Sequence, residues 1–145
     1  MQAINHVVFG SLVAVIIREP ALAVPISLGS HFVMDAIPHY GDDPKAPRGS
    51  KQYNLRIVAD AIACILVLLL FVSLHPPNTM LLITCAVVAA SPDFIWPLAL
   101  YIKQKGPLWA FFKFHKNIQR ESRTGIYLEI VWLALTSTLV IYKIR

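Results

Sequence analysis

Three long apolar runs, Leu55 to Leu74, Met80 to Ile102 and Ile126 to Tyr142, limit what this chain can fold into more than any other feature. Each is close to the ~20 residues with which an α-helix crosses about 30 Å of hydrocarbon. Of the 145 residues, 57% are hydrophobic and 14% charged, with a mean hydropathy of +0.61. A soluble domain has roughly 45–50% and about 25%. The 10 prolines and 6 glycines agree with this reading, because transmembrane helices tolerate both. Two shorter segments, Ala3 to Ile17 and Pro20 to Pro38, precede the long runs and are joined by Arg18 and Glu19. At about 1.5 Å per residue the first is too short to span comfortably. The expected architecture is one all-α, membrane-embedded bundle of about five helices over residues 1–145, with the first two helices short, tilted or half-inserted. The triplet Ala21-Leu22-Ala23 resembles a cleavage site, but no Lys or Arg precedes the apolar run, so the N-terminal segment reads as retained structure.

Charge orients these crossings. With five spans, Lys45, Arg48, Lys51, Arg56, Lys103, Lys105, Lys113, Lys116, Arg120 and Arg123 fall on one side, ten cations, against Arg18, Lys143 and Arg145, three, on the other. The positive-inside rule then places the N-terminus and both long connectors, Gly41 to Asn54 and Lys103 to Thr124, in the cytoplasm, in a multi-pass protein of the inner (plasma) membrane. The net charge of +5 is read as contact with anionic lipid headgroups rather than nucleic acid. Membrane lipids are the expected partners. Cys64 and Cys85 lie inside apolar runs with no Cys-x-x-Cys or Cys/His spacing, which argues against a disulfide framework or a zinc ribbon.

An ionisable side chain at membrane depth costs about 2.5–3.5 kcal/mol on insertion scales, so each one marks a function until a partner accounts for it. Asp35, Asp60, Asp93 and Glu129 are such residues, together with His6 and His31. On the five-span topology His6, His31, Asp35, His39, Asp60, Asp93 and His115 all fall toward one membrane face, and His75 falls opposite. His31 and Asp35 stand four apart, on one helix face, where a nitrogen and a carboxylate can hold one metal ion. An i, i+4 hydrogen bond that neutralises the acid accounts for the same spacing. Pro38 ends that helix and leaves His39 at its mouth. In Ser91-Pro92-Asp93-Phe94-Ile95-Trp96-Pro97 two prolines interrupt a membrane helix, and irregular backbone at that depth belongs beside protein or a watery cavity. Asp93 reads as a second acidic ligand, or as the first turn of a helix restarted by a Ser91 cap. Asp60 has Arg56 one turn before it, and an ion pair explains it without chemistry. His115 lies in Phe111-Phe112-Lys113-Phe114-His115-Lys116, the pattern of an interfacial amphipathic helix from which the imidazole reaches back. Glu129 is a minor candidate for pairing with Arg123 or Lys143. Phosphate loops, GxSxG, HExxH and Rossmann fingerprints are absent.

The stretch from Leu28-Gly29-Ser30-His31 through Asp35 and Pro38 resembles the Leu-Gly-x-x-Ser-His-x-x-x-Asp-x-x-x-Pro stretch of the bacterial membrane-bound metal-dependent hydrolases, the YdjM-like inner-membrane group. His6 and the dipeptide Pro92-Asp93 are similar to further features of that group. The chain has no His-Arg-Gly-x-Thr-His-Ser motif, with His115 the loose substitute, and its Pro-Asp dipeptide follows the His/Asp helix instead of preceding it. The resemblance implies a hydrolase.

These readings combine into an expectation. A divalent metal, zinc first, is held by His31, Asp35 and Asp93, with His6, His39 and His115 completing the shell and Asp60 as general base. The substrate is a phosphoester or other ester, with a phospholipid or lipid-linked phosphate favoured, at the cytoplasmic leaflet. Two alternatives from other classes stand beside it: a non-enzymatic scaffold or transport-related bundle with structural His/Asp hydrogen bonds, and a haem-binding bundle.

Overall fold

Helix boundaries follow local chemistry. In the computed structural model, which describes residues 1–41, 49–94 and 105–145, helix α1 runs Ala3–Ile16 and α2 Pro20–Asp35. Helix α3 covers Lys51–Ser73, α4 Thr79–Ala90, α5 Pro107–Ile118 and α6 Gly125–Ile144. Glu19, Ser50 and Asn78 each accept a backbone N–H from the first turn of α2, α3 and α4, satisfying donors that a helix start leaves open. Pro20 and Pro107 occupy first-turn positions, where the missing N–H costs nothing. The described residues are all-helical apart from one isolated backbone bridge between His39 and Glu121.

Among the described residues two helices, α3 and α6, are long and apolar enough to cross a membrane. In the described part of the run Met80 to Ile102, α4 has 12 residues and gives way at Ser91–Phe94 to a 3-10 turn. Pro92 has no N–H to continue the helix, and the hydroxyl of Ser91 donates back to the Val88 carbonyl at 2.9 Å rather than capping a restarted helix. Pro97, Trp96, Lys103, Lys45 and Arg48, on which parts of the sequence reading rest, lie outside the described residues.

Helix α1 sits at the centre, packed against α2, α3, α4 and α6. Its apolar residues are spread around the helix, as suits one packed by neighbours on several sides, and Asn5 and His6 at its start are buried among polar partners. Val8, Leu12 and Val13 of α1 form the core with Phe71, Leu81, Leu82, Cys85 and Val140. Gly10 allows the closest approach: a Cβ there would stand 2.4 Å from the Cys85 carbonyl oxygen, so α1 and α4 touch through backbone. Outside this core the bundle shows apolar side chains to its surroundings, among them Leu55, Ile62, Leu66 and Leu69 of α3 and Ile130, Leu135 and Leu139 of α6.

One end of the bundle gathers the polar groups. The start of α1, the end of α2, the end of α4 and the start of α6 meet there, and α5 lies across α2. The segment after α5 is strapped to the end of α2 by backbone bonds: Arg120 N–H to Asp35 O, His39 N–H to Arg120 O and Ser122 N–H to His39 O. Gly125 is required under this strap, because a Cβ there would fall 2.2 Å from the His39 carbonyl carbon.

Candidate metal centre

Four side chains from three stretches of chain converge at that end. One ligand atom each from His31, Asp35, Asp93 and His115 lies within 4.8 Å of all the others. His31 and Asp35 come from the last turns of α2, Asp93 from the 3-10 turn after α4, and His115 from α5. The expectation that His31 and Asp93 share a depth holds at atomic range: His31 Nε2 is 3.8 Å from Asp93 Oδ1 and 3.2 Å from Asp35 Oδ2. His115 Nε2 lies 2.9 Å from Asp35 Oδ2 and 3.7 Å from Asp93 Oδ1. The two imidazole Nε2 atoms are 2.9 Å apart.

The orientation of His31 is set from behind. Its Nδ1 is 2.8 Å from the Ala89 carbonyl oxygen, which only accepts, so Nδ1 carries a proton. That carbonyl is one of the last four of α4, left without a helical partner because the helix ends at Ala90. In the neutral ring Nε2 is then a bare lone pair, and it points at two carboxylate oxygens. Acceptors so placed need a proton or a cation between them. A backbone carbonyl behind a ligating imidazole is the usual support of a metal-bound histidine.

The surroundings are dry. Phe32 stands edge-on to His31 and His115 at 5.2 and 5.8 Å between ring centroids, and Phe111 and Phe114 pack around it. His31, Asp35 and His115 are fully buried, whereas Asp93 keeps 17% side-chain exposure. The Met1 amine, 2.5 Å from Asp35 Oδ1, and the Gln119 amide, 3.5 Å from Oδ2, also reach Asp35. Gln119 was missed in the sequence reading, although it follows His115 by four residues and so shares its face. The Ala89 carbonyl has no side-chain signature by which it could have been found.

The other candidates separate. His6 reaches the same acids from α1, with Nε2 3.2 Å from Asp35 Oδ1 and 3.8 Å from Asp93 Oδ2. His39 is buried, but its Nδ1 donates to the carbonyl of Ile37 at 2.9 Å and its backbone carries the strap, so it stands outside the four-residue group. Asp60 is also outside it. Its oxygens accept the N–H groups of Ala3 at 2.8 Å and Ile4 at 3.1 Å, capping α1 from a neighbouring helix. These bonds give Asp60 a structural role as a cap on α1, apart from the four-residue group. Arg56, expected as its ion-pair partner, lies over the Tyr40 ring at 5.5 Å. Glu129 accepts from the Asn5 amide and the Tyr40 N–H, rather than pairing with Arg123 or Lys143 as expected.

Two imidazoles and two carboxylates form a donor set suited to Zn, Mn or Fe and unsuited to Cu(I) or an iron–sulfur cluster. No protein-family model, curated protein or solved structure matches the chain.

Proposed function

We propose that this chain is a multi-pass inner-membrane, metal-dependent hydrolase of the YdjM-like kind, acting on a phosphoester or other ester, with a lipid or lipid-linked phosphate favoured, at the cytoplasmic leaflet. The observation that carries the metal is the His31 ring, fixed by Ala89 so that its free nitrogen faces Asp35, Asp93 and His115. A divalent ion held by such a set, zinc first among the choices, lowers the pKa of a bound water toward ~7. The protein's own part is to hold the four donors in register, to exclude water with the Phe32 cluster and to leave access beside Asp93.

Membrane residence is supported by the apolar surfaces of α3 and α6, which water would leave as aggregation sites. Placement of the donors supports the favoured substrate class. The donors lie at the bundle end that carries Lys105, Lys113, Lys116, Arg120 and Arg123, cations suited to anionic headgroups. Helix α5 turns Phe112 and His115 inward and Leu108, Lys113, Phe114 and Lys116 outward, the division expected of a helix lying in the interface.

One observation favours the non-enzymatic reading: the Met1 amine, His115 and Gln119 together satisfy Asp35. Elemental analysis of detergent-purified protein beside Asp35→Asn and Asp93→Asn separates the two. The hydrolase reading expects bound metal in the wild type, its loss in both variants, and metal-dependent release of phosphate from phosphatidic acid in mixed micelles. Less than about 0.2 equivalents of metal, unchanged by His31→Ala, would establish the scaffold instead.

A further inference from the structure

His6 is the group that a single ion leaves unexplained. Its side chain is fully buried, its Nδ1 has no hydrogen-bond partner, and its Nε2 faces Asp35 Oδ1 at 3.2 Å off the line of a good hydrogen bond. Burying an imidazole that way costs free energy unless something is bound there. The ring stacks on His31, with centroids 4.1 Å apart and planes inclined by 27°, and its Nε2 faces the same two acids.

The three imidazoles divide the carboxylate oxygens between them. His31 and His115 approach Asp35 Oδ2 and Asp93 Oδ1, whereas His6 approaches Asp35 Oδ1 and Asp93 Oδ2. Each carboxylate therefore presents one oxygen to each side. A carboxylate with its two oxygens turned to separate nitrogen ligands has the geometry to bridge paired ions, which stand ~3.5–4 Å apart in two-metal sites. The Met1 amine rests on Asp35 Oδ1 on the His6 side, and a second ion would have to displace it.

From this geometry we propose that the centre is dinuclear: Asp35 and Asp93 bridge two divalent first-row ions, one held by His31 and His115 and the other by His6. The proposal rests on the metal reading given above and adds the second ion and its ligand.

The test is stoichiometry together with magnetic coupling. Full-length protein in detergent is stripped with chelator, loaded separately with Zn(II) and Mn(II), desalted and analysed. Two equivalents of zinc and an exchange-coupled Mn(II) electron paramagnetic resonance spectrum are expected. His6→Gln should fall to one equivalent and show an uncoupled Mn(II) signal. One equivalent with an uncoupled signal in the wild type overturns the second ion while leaving the His31 site intact, and no bound metal overturns both. Two equivalents retained in His6→Gln would also overturn the assignment. The wild-type measurements decide the matter even if His6→Gln folds poorly.

Discussion

Asp60 and Asp93 look alike in the sequence, each an acid within an apolar run, and their surroundings give them different work. Asp60 meets two unpaired N–H groups of α1, whereas Asp93 meets imidazole nitrogens. Asp60→Ala should lower stability by about 1–2 kcal/mol, the usual loss of a cap, and leave metal content per folded molecule unchanged. Thermal melts and elemental analysis of the same sample check this; metal lost with full stability retained would return Asp60 to the site. At His39, burial pushes the imidazole pKa down from its ordinary 6.5, with the nearby Met1 amine acting in the same direction. Above that pH the ring is neutral whether folded or unfolded. Below it the unfolded chain takes up a proton first, so stability falls as the solution is acidified. Denaturation series at descending pH should show a shallower decline in His39→Gln than in the wild type.

At the scale of elements, the centre depends on how closely α1 and α4 approach. Helix α1 carries His6, while the end of α4 supplies the Ala89 carbonyl and leads directly into Asp93. Gly10 sets that approach. In Gly10→Ala the new methyl would lie 2.4 Å from the Cys85 carbonyl oxygen and 2.8 Å from the Ala89 Cβ, so the helices must separate. A cost of about 1–3 kcal/mol is expected for such overpacking, accompanied by weaker metal binding in competition with a chromogenic chelator. Unchanged affinity would mean that the ligands are held independently of this contact. Helix α5 was recognisable from its alternation of aromatic and basic residues, and the burial of Phe112 and His115 agrees with that pattern. Its attachment to α2 could not be read in the same way, because the strap consists of backbone bonds from Arg120 and Ser122 to Asp35 and His39.

For the whole molecule, the gathered polar end and the apolar flanks predict how the chain sits in a bilayer. His75, with φ 58°, turns the chain between α3 and α4, and Pro77 is exposed in that turn. Lys105 is exposed just before α5. A membrane-impermeant maleimide should label Pro77→Cys in intact spheroplasts and Lys105→Cys only after permeabilisation. The reverse pattern would overturn the proposed cytoplasmic placement of the polar end.

Apolar run length and i, i+4 spacing are local properties, so the amino-acid order alone determined that the chain is helical, that α3 and α6 can span a bilayer, and that His31 and Asp35 share a face. Which distant residues joined them was decided only by tertiary packing. His115 lies 84 positions from His31, and Asp60 was diverted because the start of α1 happens to lie beside it. Such meetings depend on how each helix is rotated and how near its neighbours come, and these are set by small contacts such as Gly10 against Cys85 and Gly125 beneath His39. Periodicity along one helix carries no information about that rotation.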